Sequence, residues 1–514
     1  MRQIFEIKMT GRINRRDLPN RMKDGDVMKR TNFMVIGNGD EKKNRKVPGA
    51  NRFTQNNTGT SYNSNYRYYT KGNIRKTFSH NGGKLYHIDD NGNESEVLGV
   101  FEPTAVPCFE VMRISDVDVL YVSEGISTGM YSHDGNLSNI FNKETAVSLN
   151  FIGMVSHLDR MFGFTEDSED LYFSKNLEPT NYTDSTDAGI ITIGPKRGSK
   201  IMFIALLYGT LYIFKQDSIW RLTGRTPSEF EVTEVHPYLG VSGRYSVQNT
   251  NNGIIFCGSD YEFYFFGGTI ESTIMLSYNV AFGGDLTKNL IPLVNRSKPE
   301  NMRSIFHNNI YRCAYTVNGG VTNTMEYCFD TINEVDFLTK GFNISSYLKW
   351  DRHPDNNELF TGRTDLGRLM KMNIGLNVDN NATSPSMEYE LQTKFVGSKD
   401  PKNIRFRRAF FNVGVLGAAS IRCFYYLDCR SARSDAGSDN WVTIGETKAL
   451  SPSVSITSQS AISSPVNLHY GKSKGQNISF SLEDDIKDVD IEIASISVEA
   501  IVKPTNKLSE KVVA

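Results

Sequence analysis

The 514-residue chain lacks the residue spacings that most metal and cofactor sites require. Its six cysteines, Cys108, Cys257, Cys313, Cys328, Cys423 and Cys429, include no Cys-x-x-Cys pair, which disfavours a thiolate zinc site. In a chain of this size they read as reduced, buried small hydrophobes and not as a disulfide framework. The eight histidines stand apart, with neither His-x-His nor His-Glu-x-x-His spacing. Glycine-rich pieces around Gly37 and Gly267 form neither a dinucleotide-binding nor a phosphate-binding loop and read as turns. No cofactor, no metal and no catalytic activity is therefore expected. Charge of one sign is missing too: 57 Lys and Arg face 58 Asp and Glu, a net charge of −1, which argues against a general nucleic-acid binder. Long hydrophobic runs are absent. The longest, from Ile201 to Phe214, is broken by Gly209, is too short for a membrane span and reads as a buried hairpin. The opening MRQIFEIKMTGRINRR has no apolar core or small-residue cleavage site, so the expectation is a protein made in the cytoplasm without secretion or a membrane span.

What is present is strand-forming sequence punctuated by turns, with 42 Gly, 24 Tyr and 30 Phe. In the segment from Leu206 to Gly240, Leu211 and Ile213 fall on one parity and Tyr212 and Phe214 on the other. A strand apolar on both faces belongs inside a larger β architecture. Similar units begin near residues 84, 117, 157, 209, 252, 308 and 357. Such a hairpin is unstable alone and must stack on its sisters, a need that radial closure meets on both sides. The expected fold is therefore all-β: a β-propeller of about six to eight blades, seven by count, with Trp220 in blade packing.

After about Asn381 the character changes. RFRRAFFNVGVLGAASIRCFYYLD and NWVTIGE read as strands of an additional β-sandwich-like domain with Trp441 as core anchor. The Ser-rich stretch from Leu450 to Pro465 reads as a loop and the final LSEKVVA as a frayed tail. In VDIEIASISVEAIV the apolar phase runs through Val489, Ile491 and Ile493, then slips to Ile496 and Val498, which predicts a β-bulge.

Charge is unevenly spread. From Met1 to Lys76 there are 18 Lys and Arg against 6 Asp and Glu, so a basic segment precedes a mildly acidic body. It reads as a solvated, partner-docking arm. The expected division is a basic arm over 1–55, a propeller-like body over 56–380, and a C-terminal β-domain with tail over 381–514. The acidic groups Glu166, Asp167, Glu169 and Asp170, and Glu483, Asp484 and Asp485, match no calcium-binding pattern and read as solvated loop charge. SHDGN from Ser132 and TGRTDLGRL from Thr361 are similar to the Asp-box turns of sialidase-type propellers, without the aromatic residue such turns carry.

Several short motifs in order resemble one family. Gly11-Arg-Ile-Asn14, Asp24-Gly25, Asn32 and Pro48-Gly49 open the set; Leu171-Tyr-Phe-Ser174, Pro179 and Tyr182 follow. Then come Leu211-Tyr-Ile-Phe214, Ser218-Ile-Trp220, Phe230, Gly240-Val241, Ile254 to Phe256, Tyr264-Phe-Phe-Gly267, Thr361-Gly362 and Asp365-Leu-Gly367. The set resembles the propeller-type tail nozzle and packaged-DNA-stabilisation (head–tail connector) proteins of tailed bacteriophages. It covers about Gly11 to Met372 and Arg405 to Trp441; the basic run Lys42 to Lys46 and the Tyr- and Asn-rich segment after it have no counterpart. The resemblance implies a structural virion protein of the tail. Copies, six by analogy, would form a homo-oligomeric ring below the portal and adaptor, touching phage DNA transiently and non-specifically as the genome is held and then conducted. It makes Arg12, Arg15, Arg16, Lys42, Lys43, Arg45 and Lys46 candidates for docking to the ring above. The alternative reading is a carbohydrate-binding or glycan-cleaving propeller of a fibre or cell surface.

Overall fold

The computed structural model describes residues 2–13, 23–24, 26–37, 41–54, 60–70, 72, 74–126, 129–135, 140–194, 199–277, 294–351, 357–364, 367–373, 387–394, 396–397, 404–416, 419–427, 448–449, 454–456, 466–468, 474–475, 477–484 and 490–502. Tight turns organise the hairpins among them. Ser115 and Asp116, Leu158 and Asp159, Tyr208 and Gly209, and Asn308 and Asn309 form two-residue connections with both φ values between 45° and 74°. That backbone twist matches the twist of paired strands, so each hairpin closes without splaying.

Each hairpin grows into a four-stranded antiparallel sheet in simple chain order. Five such sheets cover residues 62–98, 108–143, 151–192, 201–236 and 248–275, and strands between 303 and 340 form the sixth. The seventh contains Ile344–Asp351, Asn357–Arg363 and Leu369–Met372. The body is a seven-bladed β-propeller, as the repeat count predicts. The predicted onsets mark the second strand of six blades and, in the first, the third strand, Lys84–Ile88. The Tyr- and Asn-rich segment, which has no strand period of its own, supplies the innermost strand of blade one, Tyr62–Tyr69.

Apolar side chains fill the wedges between blades. Phe214, Phe256 and Phe266 meet between blades four and five, and Trp220 joins Leu171, Ile193, Leu211 and Ile213 between blades three and four. The Trp220 indole donates to Ser218 Oγ at 3.0 Å. It also lies over Gly194, where a Cβ would come within 2.7 Å of the ring.

The described strands of residues 1–55 do not stand apart as an arm; this is the main departure from the sequence expectation. Their strands are β1 (Arg2–Lys8), β2 (Val27–Thr31), β3 (Phe33–Ile36), β4 (Lys43–Lys46) and β5 (Ala50–Arg52). Strand β5 is the fourth, outermost strand of blade seven, with Met370 opposite Arg52 and Met372 opposite Ala50. The ring is therefore closed by chain synthesised before blade one. Strands β1 to β4 build the second domain together with the chain after residue 386. In one sheet β1 and β4 lie along one edge of Asp490–Val502, and Ile404–Leu416 lies along the other. In the other sheet β2 pairs with Tyr389–Thr393, which pairs in turn with Asn477–Asp484 and then Ala419–Leu427. That sheet continues into blade six, where β2 runs parallel to Val335–Lys340.

The two sheets share a core in which Ile7, Met9, Val27 and Phe33 of the N-terminal strands sit with Phe411, Phe480, Ile491 and Ile493. Burial of these alternating apolar residues outweighs the solvation that a lysine- and arginine-rich segment otherwise prefers. The predicted bulge is present. Asn412 faces Ser495 and Val413 faces Ile493, leaving Ala494 unmatched where burial switches parity. Within the expected Ser-rich loop, Val454–Ile456 forms a short strand against Ala419–Leu427. Trp441, Arg15, Arg16, Asp485 and the LSEKVVA tail lie outside the described residues.

Candidate functional site

The innermost strands surround a central channel to which every blade contributes, through Asn65, Glu110, Met154, Ala205, Gln248, Ser304 and Tyr347. Its cavity has a volume of about 540 Å³. A wider mouth of about 840 Å³ adjoins it and shares Val106, Ile152, Tyr245 and Arg303.

Most polar groups on the channel wall hold neighbouring blades together. Ser64 Oγ donates to Pro107 O at 2.8 Å, Asn249 Nδ2 to Leu206 O at 3.0 Å, and Gln248 Nε2 to Ser304 O at 3.1 Å. Asn65 Nδ2 donates to Ser346 Oγ at 2.6 Å across the closure between blades one and seven. These bonds satisfy buried polar atoms and fix the angle between blades.

The ionisable groups differ in how they are satisfied. At the mouth, Arg244 donates to both Glu166 oxygens at 2.8 and 2.7 Å, a forked pair, and Lys200 reaches Asp167 at 2.6 Å. The Arg244 contact is the largest influence holding the Glu166 carboxyl below its ordinary range. Inside the channel, burial pushes Glu110 up to about 7, against the Ser156 N–H that donates to its Oε1 at 2.9 Å. Arg303 lies over the Tyr245 ring at 4.6 Å, and its Nη1 donates to Glu300 O and Met302 O, each at 2.7 Å. Burial pulls Arg303 below the ordinary arginine value.

The docking residues expected from sequence are scattered. Arg12 sits over the Phe329 ring at 5.6 Å and donates to Leu276 O. Lys43 pairs with Glu492 at 3.5 Å and Arg45 with Asp490, its Nε at 2.7 Å. Lys46 is fully buried over the Tyr389 ring at 4.4 Å, and Lys42 is half-buried. Lys43 and Arg45 of the basic run thus face acidic side chains of the strand Asp490–Val502. Glu166 and Asp167, expected as solvated loop charge, are engaged with Arg244 and Lys200. Glu483 and Asp484 end a strand instead of occupying a loop.

Glu110, Tyr245 and Arg303 were not legible as a group. They belong to three different blades or blade connections, and only ring closure brings them to one axis. A carboxylate on an otherwise apolar strand, as in Cys-Phe-Glu-Val-Met from Cys108, is the one local signal. Among the described residues no group of three or more His, Cys, Asp or Glu side chains converges as a metal site.

No family model and no curated protein matches the chain. Solved structures similar to it are a selenomethionine-substituted virginiamycin B lyase from Staphylococcus aureus, BBS1N in complex with ARL6DN, and the extracellular domain of the putative hybrid two-component system BT4673 from B. thetaiotaomicron. The first is 11% identical over 63% of this chain and 97% of that one, with a TM-score of 0.37. The second is 10% identical over 67% and 97%, with a TM-score of 0.40. The third is 11% identical over 76% and 47%, with a TM-score of 0.39. One of these is an enzyme by name; no activity is carried over from any of them to this chain.

Proposed function

We propose that the protein is a structural, non-catalytic virion component of a tailed bacteriophage: a ring subunit in the tail, below the portal and adaptor, that retains the packaged genome and then conducts it. The reading rests on the ordered set of motifs from Gly11 to Gly367. The mechanical character of the fold is compatible with it. One continuous sheet runs from blade six into the second domain through the short parallel contact of Thr31 with Leu338, so backbone hydrogen bonds join the two parts. A net charge of −1 suits a conduit, since a strongly basic wall would hold DNA by displacing its counterions. Copies of the chain would pack side by side around the DNA path, with the propeller axis of each subunit separate from that path.

Negative-stain images of the purified protein, alone and mixed with adaptor-capped heads, test the proposal. Closed rings that bind at the neck are expected; a monomer that fails to join heads or virions would overturn it.

A further inference from the structure

The channel through the propeller has features that neither blade packing nor the proposed tail role requires. Four cations line the two connected cavities: Lys200, Arg244, Lys298 and Arg303. Three are matched to carboxylates, Arg244 to Glu166, Lys200 to Asp167, and Lys298 to Glu300 at 3.5 Å. Arg303 has no carboxylate partner among the described residues, and its Nε is buried without a hydrogen-bond partner. Its two backbone acceptors both take Nη1, which fixes the guanidinium plane against Tyr245. An arginine oriented in this way on one edge and unsatisfied on the other is pre-organised for a planar anion. The Glu300 carboxylate influences Arg303 electrostatically but forms no ion pair with it, so a bound anion would add the direct charge contact that the other three cations already have.

The cavity suits a small molecule and not a polymer. Its volume of about 540 Å³ lies within the range of ordinary ligand pockets, and the larger mouth gives an entry path. Tyr66 and Phe109, stacked with centroids 5.3 Å apart, offer an aromatic wall in the same cavity. Most donors of the channel amides and hydroxyls are committed to neighbouring blades, which leaves Arg303 as the anchor.

We propose that the central channel is a binding site for a small organic carboxylate, held by the Arg303 guanidinium and seated among the aromatic side chains of the channel wall. The competing explanation is that Arg303 serves only to tie down the turn at Glu300 to Met302. Binding separates the two.

Titration calorimetry of the intact chain with benzoate, acetate and inorganic phosphate provides the test. Saturable one-to-one binding of benzoate is expected, tighter than that of acetate, with a loss of about tenfold or more in Arg303→Met. Arg303→Lys keeps the charge without the planar fork and is expected to weaken benzoate binding by about threefold or more; it decides the matter if the methionine variant does not fold. Absence of saturable benzoate binding to the unaltered protein would overturn the proposal. So would undiminished affinity in whichever of the two variants folds. Preference for phosphate over both carboxylates would overturn the ligand class.

Discussion

The propeller and the second domain are built from the same kind of strand but by opposite rules. In the first six blades nearly every strand pairs with its neighbour in sequence, and the recurring two-residue turns write each hairpin into a short stretch of chain. In the second domain the partners stand hundreds of residues apart: Arg2 faces Ile501, Val27 faces Thr393, and Asn44 faces Ile493. Local pairing costs little loop-closure entropy, whereas pairing of the chain ends is secured only by what is buried once they meet. The buried polar groups follow the same division. In the channel, neutral amides and hydroxyls join adjacent blades. At the junction of the two regions a fully buried Arg30 reaches the Asn44 side chain and the backbone carbonyls of Asp336 and Met9, at 2.9, 2.9 and 2.6 Å. Burial pulls its pKa down to about 10, with Asp336 opposing.

If that contrast is right, the largest effect belongs to the junction. Arg30→Ala takes the guanidinium from three buried acceptors, with Asp336 keeping Arg12 and the Ile13 N–H, and is expected to cost about 3–5 kcal/mol. Urea unfolding should then separate into an early transition of the second domain and a later one of the propeller; a single transition at the original midpoint would erase the distinction. Next is the closure of the ring. Phe53 meets Trp350 and Phe360 edge-on at 5.1 and 4.7 Å, directly after β5. Phe53→Ala should cost about 2–3 kcal/mol and raise hydrogen exchange across blade seven more than across blades two to four.

Glu110 provides a pH-dependent comparison inside the propeller. Its pKa is raised on folding, so the carboxyl contributes nothing below the unfolded value, where both states are protonated. As pH rises toward 7 the unfolded chain ionises first and stability falls, levelling off above about 7. Glu110→Gln should match the parent protein at pH 4 and exceed it by about 2–3 kcal/mol at pH 8 in parallel denaturation curves. A constant difference at both pH values would contradict the assignment. The smallest effect is at a turn. Leu158 holds φ at 50°, a conformation that asparagine tolerates better, and Leu158→Asn should raise stability by about 0.5 kcal/mol, read as a higher melting temperature.

The same contrast explains what could be read from sequence. Blade count was legible because Val-Asp-Val-Leu-Tyr, Thr-Leu-Tyr-Ile-Phe and Ile-Tyr-Arg-Cys-Ala each announce a strand within a few residues of its turn. The bulge at Ala494 was legible for a similar reason, since a parity slip needs no partner to be seen. The N-terminal strands were not. Lys43, Arg45 and Lys46 resemble solvent-facing charge until Glu492, Asp490 and Tyr389 are placed opposite them. Closure by β5 was invisible for lack of length, with three residues carrying no period. The channel residues escaped because proximity around an axis leaves no trace in spacing.

Placing the first five strands against chain made hundreds of residues later also sets an order of events during synthesis. At roughly 5–20 residues per second, β1 leaves the ribosome about 25–100 s before the strand it pairs with is complete. During that interval blades one to five can form from their own hairpins. The apolar faces of Ile7, Val27 and Phe33 remain uncovered, with open strand edges beside them, and β5 waits for the other three strands of blade seven, which are made after it. The nascent chain thus spends most of its synthesis with a nearly finished wheel attached to a sticky, unpaired leader, which makes the leader the natural client for a chaperone and the natural seed for aggregation if translation stalls.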